Sequence, residues 1–218
     1  MAWAQGGPSP EAVRRNERGA ALLKEGKLEE AVAEFREAAQ TDSGYVAALM
    51  NLAYAYDRQG QIGEAIAAYG KVLEGDPENS LARNNLAVLY GRQGRHDEAI
   101  HELEQVLQRD PPHASAAKNL EVAKRNQAIV RDRDQQLARA VKESEARPAD
   151  PRAAYAVARL YALHSQTDQA LTWLTLALDL GLEDVQSVTV DPALVGLRND
   201  PRFKSLVEGR QVQKTPPR

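Results

Sequence analysis

Apolar residues in the first half of the chain recur at steps of three and four, the spacing that places side chains on one face of an α-helix. Between 46 and 58 these residues are Leu49, Leu52, Ala53 and Tyr56. Gly60 predicts the end of this helix, because glycine readily takes the left-handed conformation found just past a helix C-terminus. A second apolar stripe, over 65–73, is followed by Pro77, where a helix must stop. The pattern therefore predicts a helical hairpin.

The hairpin pattern returns every 34 residues. The turn glycines are Gly26, Gly60 and Gly94, and the core leucines are Leu52, Leu86 and Leu120. One hairpin cannot bury its apolar face alone, so the copies must stack to form a core. We therefore predict an all-α fold, a right-handed superhelical solenoid whose first helices line a concave surface. Its three units are 12–45, 46–79 and 80–113, which together make up 12–113.

These three units resemble the tetratricopeptide repeat (TPR) family. The second reads VAALMNLAYAYDRQGQIGEAIAAYGKVLEGDPEN and the third SLARNNLAVLYGRQGRHDEAIHELEQVLQRDPPH, and both follow the family pattern at nearly every signature position. The first unit departs from it at Arg15, Arg18 and Ser43, as expected of a solvent-facing end repeat. The resemblance implies a non-enzymatic module that binds other proteins.

After Pro111 the 34-residue period weakens. Residues 114–146 carry a narrow apolar stripe, and no helix breaker follows until Pro148. For 114–148 we expect one long helix, and the alternative is a degenerate repeat bent into a hairpin around Asp132–Asp134.

Residues 149–208 contain a further TPR-like hairpin and a segment that resembles the end-of-group motif of many bacterial TPR arrays. Asp191-Pro192 and Asp200-Pro201 each place an N-cap acceptor before a proline, so a short helix should start at each pair. We expect the apolar residues that follow to cap the last hairpin and Trp173 to pack near this cap. They are Leu194, Leu197, Phe203 and Leu206.

The two ends of the chain, 1–11 and 209–218, are rich in polar residues, glycine and proline and are expected to be disordered. Residues 2–5, Ala-Trp-Ala-Gln, resemble the end of a secretory signal peptide. The protein is thus predicted to be either cytoplasmic or exported.

Composition excludes several classes of function. The chain of 218 residues has 28 basic and 31 acidic side chains, a formal charge of −3 and no cysteine. The net charge does not indicate a basic surface for binding nucleic acid. No apolar run is long enough to span a membrane, so the chain is not expected to be integral to one. The four histidines show no metal-ligand spacing, and no phosphate loop or nucleophile elbow is present. No enzyme activity, cofactor or metal is therefore expected.

Polar residues at the 34-residue step mark a candidate peptide-binding groove. One row holds Asn51, Asn85 and Asn119, a second holds Lys24, Arg58 and Arg92, and Tyr54 and Asn84 complete the groove. Each asparagine of the first row precedes a core leucine, so we expect it to point away from the core and its replacement to leave stability unchanged. An amide can donate to and accept from a peptide backbone, and the basic row favours an acidic partner.

Some TPR proteins clamp a C-terminal carboxylate, but this chain departs from that pattern at Ala20, Leu81 and Asn85. The sequence therefore predicts a protein-interaction scaffold that binds a partner segment other than such a tail. The alternative is a structural subunit or self-assembling component, for which self-association would be expected.

Overall fold

The computed structural model describes residues 7–213, and in this part of the chain every regular element is helical. The first six helices form three antiparallel hairpins. They are α1 (Pro10–Lys24), α2 (Leu28–Thr41), α3 (Val46–Arg58), α4 (Ile62–Gly75), α5 (Ser80–Arg92) and α6 (His96–Arg109).

The remaining helices are α7 (Ala114–Ala146), α8 (Pro151–Leu163), α9 (Thr167–Asp179), α10 (Val185–Val190), a 3-10 helix (Pro192–Leu197) and α11 (Pro201–Gln213). The chain divides into two compact units. Unit 1 ends at Ala128 and unit 2 begins at Ile129, so α7 contributes to both. Residues 114–146 form one helix.

The hairpin turns of unit 1 lie where the glycines predict them. Gly26, Gly60 and Gly94 have φ angles of +78°, +76° and +76°, in the left-handed region that glycine adopts without strain. Ser165 takes the same place between α8 and α9 with φ of +58°. A residue with a Cβ loses about 1–2 kcal/mol in this conformation, so the turn of unit 2 is strained where those of unit 1 are not.

The core of unit 1 pairs a small residue on each first helix with a large residue on the second. Gly19 faces Phe35, since a Cβ built on Gly19 would lie 2.7 Å from two ring carbons of Phe35. Ala53 packs in one cluster with Tyr69. Ala87 and Leu103 share the next cluster. The three pairs keep the 34-residue step, so each hairpin has a small residue on its first helix and a larger residue on its second helix at equivalent positions.

Two arginines of the first hairpin, Arg15 and Arg18, stand where the second hairpin has Leu49 and Leu52. Arg15 and Arg18 form ion pairs of 3.6 and 3.4 Å with Glu34 on α2. These contacts join α1 to α2 at the end of the stack.

The prediction of a disordered N-terminal segment over 1–11 was wrong at its boundary, because α1 begins at Pro10. The backbone N–H of Ser9 donates to Asp42 Oδ2 at 2.9 Å, which ties the start of α1 to the end of α2. Residues 2–5 lie outside the described residues.

Unit 2 contains the end of α7, the α8–α9 hairpin and the cap that covers this hairpin. Leu194, Leu197 and Phe203 are buried in one cluster with Leu171, Leu174 and Leu178, and Trp173 packs against this cluster as predicted. The short helices begin where the aspartate-proline pairs predict. Asp191 Oδ1 accepts from Ala193 N, and Asp200 Oδ1 accepts from Arg202 N, both at 2.8 Å.

Two features of the cap differ from the sequence prediction. Helix α10 precedes the 3-10 helix and was not predicted. The prediction of disorder over 209–218 was wrong for 209–213, because α11 continues to Gln213. Arg210 of α11 forms an ion pair with Asp179 of α9. Within 7–213, no helix is long and apolar enough to cross a membrane.

Candidate peptide-binding groove

The first helices of unit 1 present three rows of side chains on one face. On α3, Asn51, Tyr54 and Arg58 follow at steps of three and four, which places them on the same side of the helix. The equivalent residues are Asn85, Val88 and Arg92 on α5 and Asn119, Val122 and Asn126 on α7. Lys24 occupies the basic position of α1. We call this surface, formed by the face of α1, α3, α5 and the start of α7, the groove.

The amide row links neighbouring first helices. Asn51 Nδ2 donates to Asn16 Oδ1 at 2.9 Å, which joins α3 to α1. Asn119 Nδ2 donates to Asn84 Oδ1 at 3.0 Å, which joins α7 to α5. Asn16 and Asn84 are buried. Part of the hydrogen-bonding capacity of this row therefore stabilises the stack.

The contact pattern changes between α3 and α5. The position equivalent to Asn16 and Asn84 is Met50, which has no amide oxygen to accept a hydrogen bond. Asn85 Nδ2 instead donates to the hydroxyl of Tyr69 at 3.1 Å. Burial raises the pKa of Tyr69 above its ordinary value, although the hydrogen bond from Asn85 opposes this shift.

The expectation that the side chains of Asn51 and Asn85 point away from the core was therefore wrong. Both side chains are half-buried and each donates to another helix. Replacing either with alanine removes a hydrogen bond that is worth about 0.5–1.5 kcal/mol to the fold.

The apolar row was missed by the sequence analysis except for Tyr54. Tyr54 is 41% exposed, Val88 38% and Val122 40%, although all three are large apolar residues. Val88 and Val122 line a pocket of about 230 Å³ between α5, α6 and α7, with Leu103 and Ala123 among its walls and Asn119 beside them. The 34-residue step of Tyr54, Val88 and Val122 is visible in the sequence.

The three cations of the basic row have different surroundings. Arg92 forms an ion pair with Asp57 on α3. Arg58 donates from Nη1 to the Tyr54 hydroxyl at 3.0 Å, and its guanidinium carbon lies 5.9 Å from the centre of the Tyr54 ring. In the described part of the chain, neither Arg58 nor Lys24 forms an ion pair with a carboxylate. These two positive charges are therefore available to a partner.

A second, larger cleft of unit 1 is lined by a different set of residues. It has a volume of about 940 Å³ and is lined by α2 and α4, with Leu49, Leu52 and Tyr56 of α3 among its lining residues. Both Nε and Nη2 of Arg36 donate to the Tyr56 hydroxyl, at 3.3 and 3.1 Å. Lys71, Glu64 and Glu74 contribute both signs of charge. The cleft therefore carries charges of both signs, whereas the two available charges of the groove, Arg58 and Lys24, are both positive.

No group of three or more histidine, aspartate or glutamate side chains could hold a metal ion in residues 7–213. His113 acts as a helix cap, since its Nδ1 accepts from Ala116 N at 3.1 Å. Burial lowers the pKa of His164, which favours its neutral form.

The sequence matches the family model described as tetratricopeptide repeat over residues 22–68 and 58–123. Residues 22–123 are tetratricopeptide repeats. The matched residues cover most of the three hairpins of unit 1 and the start of α7, so the groove lies on the face of recognised TPR repeats. No curated protein matches the chain.

Solved TPR structures share this fold. The first TPR domain of Spaghetti (RPAP3), bound to the HSP90 peptide SRMEEVD, has 21% identity and a TM-score of 0.53, and the match covers 57% of this chain and 99% of that chain. The second TPR domain of human RPAP3, in complex with the HSP70 peptide SGPTIEEVD, has 26% identity and a TM-score of 0.51, covering 54% and 98%. A MamA RS-1 double mutant has 17% identity and a TM-score of 0.53, covering 80% and 96%.

Proposed function

We propose that this TPR protein is a non-catalytic interaction module that binds an extended segment of a partner protein in the groove of unit 1. The observation that carries the proposal is the alignment of exposed apolar side chains with cations that lack a carboxylate partner. Tyr54, Val88 and Val122 offer apolar area, and Arg58 and Lys24 offer charge. A surface with both properties suits a peptide that has apolar and acidic residues.

A solved relative supports a peptide as the partner. The second TPR domain of human RPAP3 binds the peptide SGPTIEEVD, in which two glutamates and an aspartate surround one valine. We propose that this chain likewise takes a segment with acidic and apolar side chains. The departures at Ala20, Leu81 and Asn85 argue against the same carboxylate clamp.

The test is a selection of peptides against the full chain. Random twelve-residue peptides displayed on phage are selected on the immobilised protein, and the affinity of labelled synthetic binders is measured by fluorescence anisotropy. Val88→Glu should lower the affinity by about tenfold or more, because it removes apolar contact and adds a charge that repels acidic peptides. Lys71→Glu is the matched control, since it adds a negative charge to the cleft between α2 and α4.

Three outcomes decide between the groove and the alternatives. Binding that weakens with Val88→Glu and is unchanged by Lys71→Glu supports the groove. Binding that weakens only with Lys71→Glu moves the site to the cleft. A protein that selects no peptide and forms oligomers in light scattering would favour a self-assembling subunit, for which the exposed Val190 and Val195 of the cap offer apolar surface.

A further inference from the structure

The pocket between α5, α6 and α7 has the size and lining of a site for one side chain. Its volume of about 230 Å³ is below the range of about 300–1,000 Å³ usual for small-molecule sites. Val88 and Val122 are exposed at its mouth, and Leu103 and Ala123 are buried within it. An apolar side chain that filled this pocket would cover both exposed valines.

The cations of the groove that are available to a partner lie on other helices than those that form the pocket. Arg92, which also lines the pocket, is neutralised by Asp57. The cations without a carboxylate partner are Arg58 on α3 and Lys24 on α1, one and two first helices beyond α5. Arg58 is held in place by its hydrogen bond to Tyr54 and keeps N–H groups for a bidentate contact with a carboxylate.

The distance between neighbouring first helices determines how far apart the matching residues of a bound peptide must be. Packed helices lie about 8–10 Å apart, and an extended peptide advances about 3.3 Å per residue. One helix step, from Arg58 to Lys24, therefore corresponds to about three residues. The pocket lies between α5 and α7, which are one and two helix steps from α3. Its distance from α3 is therefore about one and a half steps, or about four peptide residues.

We infer that the groove selects an extended peptide with one bulky apolar side chain and two carboxylates in a fixed order. The apolar side chain fills the pocket, one carboxylate about four residues away meets Arg58, and a second, about three residues further on, meets Lys24. This inference rests on the proposed function and adds the chemistry and spacing of the partner to it.

The test compares the peptides selected on the full chain. The selected sequences should share the apolar residue and both acidic residues at these spacings, in one of the two chain directions. Two changes to a synthetic binder measure the spacing directly, one moving the nearer glutamate by two positions and the other replacing both glutamates with glutamine. Each change should weaken binding by about tenfold or more, since each removes charged hydrogen bonds to the protein.

Variants of the protein separate this inference from the proposed function. The double variant Lys24→Glu/Arg58→Glu should abolish the preference for acidic peptides, and added salt should reduce that preference in the native chain. Lys71→Glu should leave the preference unchanged. Peptides that bind the groove and respond to Val88→Glu, yet show no acidic pair or no fixed spacing, overturn the inference and leave the proposed function standing. The absence of any groove-dependent binder overturns both.

Discussion

A single glycine sets how closely the first two helices approach. Gly19 lies inside α1, where glycine is less favourable than alanine by about 1 kcal/mol. The ring of Phe35 on α2 is fully buried and occupies the space that a Cβ on Gly19 would need. The other repeats use alanine opposite Tyr69 and Leu103. Glycine therefore stands on the first helix in the hairpin whose second helix carries a phenylalanine at the facing position.

Gly19→Ala should destabilise the protein despite the higher helix propensity of alanine. Overpacking of a core costs about 1–3 kcal/mol, and the gain in propensity offsets about 1 kcal/mol of this. The free energy of unfolding should fall by about 1 kcal/mol in urea titrations followed by circular dichroism.

Gly70→Ala is the matched control for this prediction. Gly70 lies inside α4, and a Cβ there would meet no atom within 4 Å. This change should stabilise the protein by up to about 1 kcal/mol. Equal effects of the two substitutions would show that the contact with Phe35 does not limit residue 19.

At the scale of elements, the start of the 3-10 helix depends on one carboxylate. Asp191 accepts hydrogen bonds from Ala193 N at 2.8 Å and from the Tyr155 hydroxyl at 2.8 Å, and forms an ion pair of 2.8 Å with Arg159. Burial pushes the pKa of Asp191 upward, but these donors outweigh burial and hold the pKa below its usual value. Asp191 therefore joins the cap to α8 in its charged form.

Asp191→Asn should reduce the stability of unit 2 by about 1–3 kcal/mol, because an amide keeps the cap but loses the charged contacts. Since the folded-state pKa is lowered, the carboxylate contributes fully above its unfolded pKa of about 3.9 and less as the pH falls through the folded pKa. The difference between native and variant protein should thus be constant from about pH 5 to 8 and shrink below about pH 4.

The measurement for Asp191→Asn is urea unfolding followed by Trp173 fluorescence, in a Trp3→Phe background so that only unit 2 reports. Asp179→Asn is the control, since the ion pair of Asp179 with Arg210 is exposed and such pairs contribute little. A difference that persisted unchanged at about pH 3 would show that the carboxylate charge is not responsible.

The elements that sequence could predict are those with strong local signals. Gly26, Gly60 and Gly94 marked the turns because their left-handed conformation favours glycine. Helix α10 was missed because six residues are too few to show a helical period. The helical residues 209–213 were missed because their composition is polar and shows no apolar period.

The helix face that carries the polar rows could be predicted from sequence, but the contacts of these rows could not. The 34-residue step placed Asn51, Tyr54 and Arg58 on one face of α3 correctly. Hydrogen bonds such as that of Asn51 with Asn16 depend on the packing of two helices, which the step alone does not specify. The pairing of Arg92 with Asp57, and hence the distinction between neutralised and available cations, is likewise visible only in the structure.

At the scale of the whole molecule, unit 2 has a single complete hairpin and relies on the cap for its core. The cap buries Val188, Leu194, Leu197 and Phe203 against the side chains of α9. Repeat proteins need such ends, because an uncapped hairpin exposes the face that the next repeat would cover.

Deleting residues 186–218 should expose the buried face of α9 and cause aggregation or loss of cooperative unfolding. Light scattering measures the first effect, and urea titration followed by Trp173 fluorescence measures the second. The matched control is deletion of residues 214–218 alone, which keeps all of α11. A protein without 186–218 that is as soluble and as stable as the full chain would show that the segment is not a cap.

The amide contacts between first helices have a consequence for how such an array could grow by gene duplication. Each contact joins residues 35 apart, one more than the repeat length, as in Asn16 with Asn51 and Asn84 with Asn119. In each contact the second asparagine of one repeat position donates to the first asparagine position of the preceding repeat. A repeat can therefore make this contact with both of its neighbours only if it has two adjacent asparagines. The segment 80–113 has them, Asn84 and Asn85, so tandem copies of it would carry an unbroken line of side-chain amides along the array.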